Sequence, residues 1–318
     1  MQADYFSDHR EGIFLDYDDI SSVHGLNTKP YINAGETKNR GIDLQLEGFR
    51  KIGEVNLSLR GNLTFNRNEV INDAQPIPEY PYLSKIGLPI DQQFGLVALG
   101  LFQTQEEVDN SPKPSGTVRV GDIKYKDTNG DGIINELDYV PIGRSWLPEI
   151  TYGFGFSLQW KQLDVSAMFQ GVGNVSMFLN GAAVWPFANN DLKISNFYTE
   201  VYENTWTLAN PNPNAKYPRA SVSKSNNNTQ YTSTYWQRDM SYIRLKNVTV
   251  GYTFPKKLTS KLRMEQARVY ASGLNLLTFS AFKMFDPEIG SGSSSSTRGQ
   301  GDVYPPSRII SLGLSMSF

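Results

Sequence analysis

Residues 55–66 read V-N-L-S-L-R-G-N-L-T-F-N, and this stretch decides the fold. The odd positions (Val55, Leu57, Leu59, Gly61, Leu63, Phe65) are apolar or glycine, and the even ones (Asn56, Ser58, Arg60, Asn62, Thr64, Asn66) are polar. Period two puts the two sets on opposite faces of an extended chain. A helical stripe through 55, 58, 59 and 62 would read Val-Ser-Leu-Asn, which gives no apolar face. The segment is a strand, and a long one.

The same alternation recurs in both directions along the chain. Ile42, Leu44 and Leu46 alternate with Asp43, Gln45 and Glu47. Phe154, Phe156, Leu158 and Trp160 share a face, as do Leu163, Val165, Ala167 and Phe169. Ile243 and Leu245 face away from Arg244 and Lys246; the phase slips near Asn247, as a β-bulge would make it, and resumes with Val248, Val250, Tyr252 and Phe254. Weaker alternation runs through 266–276, and the chain ends with Ile310, Leu312, Leu314, Met316 and Phe318 on one face.

A soluble sandwich would bury such faces between two sheets, with strands of about 5–6 residues. A membrane barrel turns them to lipid, with spans of about 9–11 residues and aromatic girdles at the interfaces. Strand length favours the barrel, and Trp160, Tyr252 and Phe254 fall beside turns. The connections separate the two architectures further. Strands at about 1–14 and 33–50 flank a long loop, 51–54 is a short turn, 71–147 is very long and 161–162 short. Then 179–240 is long, 255–264 short and 279–306 long. Long outer loops alternating with tight periplasmic turns are a barrel's pattern. The expectation is an all-β, antiparallel transmembrane β-barrel segment of about eight strands with long extracellular loops and both ends periplasmic. A small closed barrel would also have eight strands, but the chain opens almost inside a strand without an export signal, so a piece of a larger barrel is the better reading.

Composition is permissive. Lys+Arg (30) nearly balance Asp+Glu (32), so no basic excess points to nucleic acid. Without cysteine there is no disulfide framework, thiolate nucleophile or Cys-based metal site. No apolar run approaches the roughly 18–20 residues of a membrane helix. His9 and His24 stand apart from any partner motif and read as loop or rim residues. No nucleophile elbow, Walker loop, H-E-x-x-H motif or paired catalytic carboxylates occur, so nothing argues for an enzyme.

Three loop features stand out. Asp127–Asp138, D-T-N-G-D-G-I-I-N-E-L-D, puts Asp127, Asn129 and Asp131 at alternate positions, Gly132 at a sharp turn, Ile133 where a carbonyl would be offered, and Asp138 twelfth. That spacing suits a calcium ion, and it equally suits an Asx-stabilised turn without metal. Trp185, Phe187, Trp206, Tyr231, Tyr235 and Trp236 interleave with Asn189, Asn190, Asn226, Asn227 and Asn228. Such a set can stack on sugar rings or meet a partner, or it can pack the loop's own small core; the last is favoured. Ser291–Ser296 reads as a flexible loop tip.

The segment 121–154, GDIKYKDTNGDGIINELDYVPIGRSWLPEITYGF, resembles a stretch characteristic of SusC/RagA-type TonB-dependent transporters. NAGETKNRGIDLQLE (33–47), YIRLKNVTVGYTFP (242–255) and VYASGLNLL (269–277) agree with it. The resemblance covers essentially all of residues 1–318 and implies the C-terminal part of a barrel of about 22 strands, with plug domain and signal peptide missing from this stretch. It implies TonB-powered import across the outer membrane of a Gram-negative, Bacteroidetes-like cell, without covalent catalysis, of an oligosaccharide or a peptide captured by a SusD-like lipoprotein. It also implies that Phe318, a terminal aromatic, is a barrel-assembly signal. The rival readings are a calcium-stabilised surface adhesin and a soluble glycan-binding or hydrolase β-sandwich.

Overall fold

The computed structural model describes residues 1–318 apart from 19–22, 24, 26–27, 182–183, 186, 188–197, 222–226, 289–298, 300 and 302–303. His24, Asn189, Asn190, Asn226 and Ser291–Ser296 therefore lie outside the described residues.

Eight long strands form one antiparallel sheet in strict sequence order: β1 (Gln2–Asp16), β2 (Tyr31–Ile52), β3 (Val55–Asn72), β4 (Ile150–Trp160), β5 (Leu163–Gly173), β6 (Tyr242–Thr253), β7 (Gln266–Ser280) and β8 (Ile309–Ser317). Each strand pairs with its chain neighbour, so every connection is a hairpin. The short connections close as the sequence predicts. Ile52 pairs with Val55 around Gly53, whose φ of 60° is the left-handed conformation that glycine adopts without a Cβ clash. Trp160 pairs with Leu163 around Lys161–Gln162. The bulge is present too: Met168 opposes Asn247 and Phe169 opposes Leu245, leaving Lys246 as the extra residue.

Register lines the apolar positions into rows across the sheet. Leu59 lies opposite Phe156, Phe156 opposite Ala167, Ala167 opposite Val248, Val248 opposite Gly273, and Gly273 opposite Ile310. A neighbouring row runs Leu57, Leu158, Val165, Val250, Ala271 and Leu312. Among the described residues no second sheet or helix covers this face: Leu59, Phe156, Val250, Ile310 and Leu312 are all exposed, Leu312 at 84%. An apolar face that runs across six strands and stays open is far larger than the patches soluble monomers tolerate. Hydrocarbon is the solvent that suits it.

The buried core sits elsewhere. Leu96, Leu101, Ile123, Tyr125, Ile134, Val175, Met177, Leu179, Val184, Val201, Trp206, Tyr217, Trp236, Met240 and Phe282 pack together, and all but Val175, Met240 and Phe282 fall well inside the long connections. The long loops thus fold into a domain of their own at one end of the sheet. Short strands hold it together: Ala98–Leu101 pairs with Ile123–Tyr125, and Ser176–Phe178 with Gln237–Asp239.

Candidate functional site

The polar face of the sheet is the first part of the site. Gln45, Asn62, Gly153, Gln170 and Arg244 form one row, and Lys51, Asn56, Gln159, Asp164, Gly251 and Tyr270 another. On this face Arg268 reaches from β7 past β6 to Asp164 on β5, its Nε donating to Oδ1 at 3.0 Å. The path crosses Gly251, where a Cβ would lie 2.3 Å from the guanidinium and 2.6 Å from the carboxylate. The Arg268 guanidinium also stands 4.9 Å from the centroid of the Tyr270 ring. At the loop end of the same face Arg244 is buried and paired with Asp286 and with Glu288, the latter at 2.7 Å. Burying an arginine demands such partners, and the 281–288 connection supplies both.

The loop domain is the second part. Asp122 is buried and accepts from Arg219 Nε at 3.1 Å, Asn228 Nδ2 at 2.9 Å and the Arg119 N–H at 2.8 Å. Asn228 in turn accepts from the Ile123 N–H at 2.8 Å, and its carbonyl takes the Trp236 indole N–H at 2.6 Å. This network ties the 73–149 connection to the 174–241 connection. Glu149 fastens the domain to the sheet, accepting both Arg67 Nε at 2.9 Å and Nη2 at 3.0 Å, with Asn174 Nδ2 at 3.0 Å.

The six loop aromatics divide by burial. Trp206 is 1% and Trp236 2% exposed, so both are interior packing and neither offers a face to a ligand. Trp185 lies 5.8 Å and Tyr235 5.6 Å from Trp236, ring to ring, and Tyr231 sits edge-on to Tyr125 at 6.0 Å. Trp185, Phe187, Tyr231 and Tyr235 remain half-buried. The amides Asn227 and Asn228 are buried within the same packing.

Asp127–Asp138 closes on itself. Asp127 accepts the N–H groups of Gly130 at 2.7 Å and Gly132 at 2.9 Å, and Asp131 that of Ile133 at 2.8 Å. Asn129 Oδ1 takes the Asp131 N–H at 3.1 Å. The buried Asp138 carboxylate is occupied by the backbone of Thr128 (2.7 Å), Asn129 (3.4 Å) and Asn135 (2.9 Å). Asp127, Asp131 and Asp138 do not gather their oxygens around one point; among the described residues the His/carboxylate group that does is His9, Glu11 and Glu36. These backbone bonds are those of an Asx-stabilised turn, and the carboxylates keep further lone pairs beyond them. His9 itself is an exposed rim residue, its Nε2 2.6 Å from Glu36.

This geometry has relatives. No protein-family model matches the chain. A TonB-dependent receptor of Formosa agariphila is 35% identical over 243 residues, covering 70% of this chain and 22% of the relative. The TonB-dependent receptor SusC of Bacteroides thetaiotaomicron is 25% identical over 97% of this chain and 30% of its own length. A structure of the RagAB peptide importer in an open-open state superposes with a TM-score of 0.71 at 22% identity, over 99% of this chain and 32% of that one. The chain is a SusC/RagA-like segment of a TonB-dependent receptor barrel. Its place is the outer membrane.

The SusC/RagA-like segment spans between about a fifth and a third of these relatives. Its most specific motif has a local physical explanation. Gly121 has a φ of 87°, and a Cβ there would lie 2.2 Å from the Trp206 ring. Asp122 next to it is the hub of the buried network, and Ile123 and Tyr125 are core. G-D-I-K-Y is therefore the seam on which the outer loops of this receptor segment assemble. Phe318 stands exposed one residue past the end of β8.

Proposed function

We propose that this segment forms part of the wall and outer vestibule of an outer-membrane importer energised through TonB. Its cargo is an oligosaccharide or a peptide, passed through the lumen without covalent chemistry and delivered by a SusD-like lipoprotein seated on the loop domain. The observation that carries this reading is the two-sided sheet, apolar and uncovered on one face, polar on the other, and crowned by a separately packed loop domain. The names of the relatives support the TonB coupling, and RagAB is a peptide importer. Phe318 serves as the assembly signal, and Trp185, Phe187, Tyr231 and Tyr235 are the loop aromatics left to meet cargo or lipoprotein. The test is growth of the source bacterium on single oligosaccharides and on peptides, with the full-length gene intact, deleted, or paired with a disabled TonB. Loss of growth on one nutrient class in both lesions supports import and names the class. Unchanged growth with lost surface attachment would replace it with the adhesin reading.

A further inference from the structure

Beyond the outer ends of β6 and β7, where Tyr242 pairs with Ser280, a cavity of about 260 Å³ opens in the loop domain. Lys216, Arg238 and Lys283 line it, against Glu200 and Asp239. Lys216 is spent on Glu200 at 3.3 Å, and Asp239 accepts the Ser241 N–H at 2.8 Å. Arg238 is different. Half-buried, it donates from Nη1 to the carbonyls of Tyr235 at 2.9 Å and Gln237 at 2.8 Å, and it neighbours the Tyr217 hydroxyl. None of the ion pairs formed among the described residues involves Arg238 or Lys283.

A half-buried guanidinium normally takes a carboxylate, because neutral carbonyls leave its charge uncompensated. Here the two carbonyls fix Nη1 and the Tyr217 hydroxyl adjoins the guanidinium, so the planar fork is held still. Lys283 adds a further cation to the same cavity wall, and with Lys216 the three cations outnumber the two carboxylates by one. Burial pushes the Tyr217 phenol up to about 12, so it stays protonated and can donate at neutral pH. The cavity thus holds donors and one net positive charge, with no ion pair to Arg238 or Lys283 among the described residues.

We propose that this cavity is an oxyanion subsite, in which Arg238 and Lys283 receive a carboxylate or sulfate group carried by the imported molecule. The assignment rests on the import reading and narrows it: the cargo is anionic, such as an acidic or sulfated glycan or a peptide bearing a free carboxylate. Bidentate geometry suits Arg238, while Lys283 contributes charge from a flexible stem.

The test uses full-length receptor in detergent, crystallised and soaked with selenate, whose anomalous signal locates the ion without knowledge of the cargo. The expected result is selenate at Arg238 and Lys283 in the wild type, lost in Arg238→Gln. Lys283→Gln, at a side chain in none of the ion pairs or hydrogen bonds among the described residues, serves as the milder variant and should weaken occupancy. In parallel, calorimetry with a glucuronate-containing oligosaccharide, its sulfated and neutral counterparts, and a short peptide with free or amidated C-terminus separates the sources. The charged member of at least one pair should bind roughly tenfold tighter, and Arg238→Gln should abolish the difference. Selenate absent from this cavity, or equal affinity within every pair, overturns the subsite while leaving TonB-dependent growth intact. Selenate bound as expected with no TonB-dependent growth would instead keep the subsite and sink the import reading.

Discussion

Arg268 and Asp164 join strands that are not neighbours, and they meet only because Gly251 on the strand between them has no side chain. The atoms a Cβ would strike are the far ends of two flexible side chains, so Gly251→Ala should separate the pair without disturbing the ladder. A partly exposed ion pair is worth about 0.2–1 kcal/mol. A double-mutant cycle with Arg268→Gln and Asp164→Asn, read by denaturant unfolding of the assembled barrel, should return a coupling in that range. In the Gly251→Ala background the coupling should vanish. An unchanged coupling there would mean the pair does not pass over the glycine.

Gly121→Ala should act on the loops and spare the barrel. The new methyl meets the Trp206 ring at 2.2 Å, and the backbone at φ 87° disfavours any side chain. Overpacking of this kind costs about 1–3 kcal/mol. The expected outcome is rapid protease cleavage of the surface loops in whole cells, with a correctly inserted barrel. Loops as resistant as wild type would show that Trp206 has room to move.

Replacing Asp138 removes the acceptor for three backbone N–H groups. Asp138→Ala should loosen residues 127–138 by about 1 kcal/mol, since part-buried donors lose their acceptor. Hydrogen exchange at Thr128 and Asn135 reads this directly. Calcium or a chelator should leave those exchange rates unchanged in the wild type. Protection that rises with calcium would restore the metal reading of this loop.

Acid should fray the short helix Gln105–Asn110 at its start. The Gln103 N–H, and after it Lys124, hold the Glu107 carboxyl below its usual range. A carboxyl depressed in the folded state contributes stability that is complete above its unfolded value and is lost as pH falls through the folded one. Protection of the Gln103 amide, measured against its intrinsic exchange rate, should therefore hold at neutral pH and be lost only below the ordinary carboxylate range. Glu107→Gln should remove that pH dependence.

How much of this was legible follows from where the solvent changes. Between Val55 and Asn66 one face meets hydrocarbon and the other water, so alternation is unambiguous. Strand β3 nevertheless continues to Asn72 through Arg67, Asn68 and Glu69, where both faces are wet and no pattern is imposed. The bulge was readable because Lys246 and Asn247 sit together between two apolar phases. The loop core was not, since Gly121 meets Trp206 and Asp122 meets Arg219 across long sequence separations with no period to betray them. Spacing alone could not separate the calcium and Asx-turn readings of Asp127–Asp138, because both call for the same residues. Lys216, Arg238 and Lys283 gave no signal either: three scattered cations become a site only when the chain folds.

The central claim is that odd residues of β3 face lipid and even ones face the lumen. Single cysteines placed at 57, 58, 59, 60, 62 and 63 of the full-length protein, in a cysteine-free background, can each carry a spin label. Relaxation by lipid-soluble oxygen should then be strong at 57, 59 and 63, and relaxation by a water-soluble nickel chelate should be strong at 58, 60 and 62. Leu59→Arg should cost about 2–4 kcal/mol of barrel stability if it lies near the midplane, against little for Asn62→Arg. Equal accessibility to both reagents at odd and even positions would contradict the membrane-barrel account.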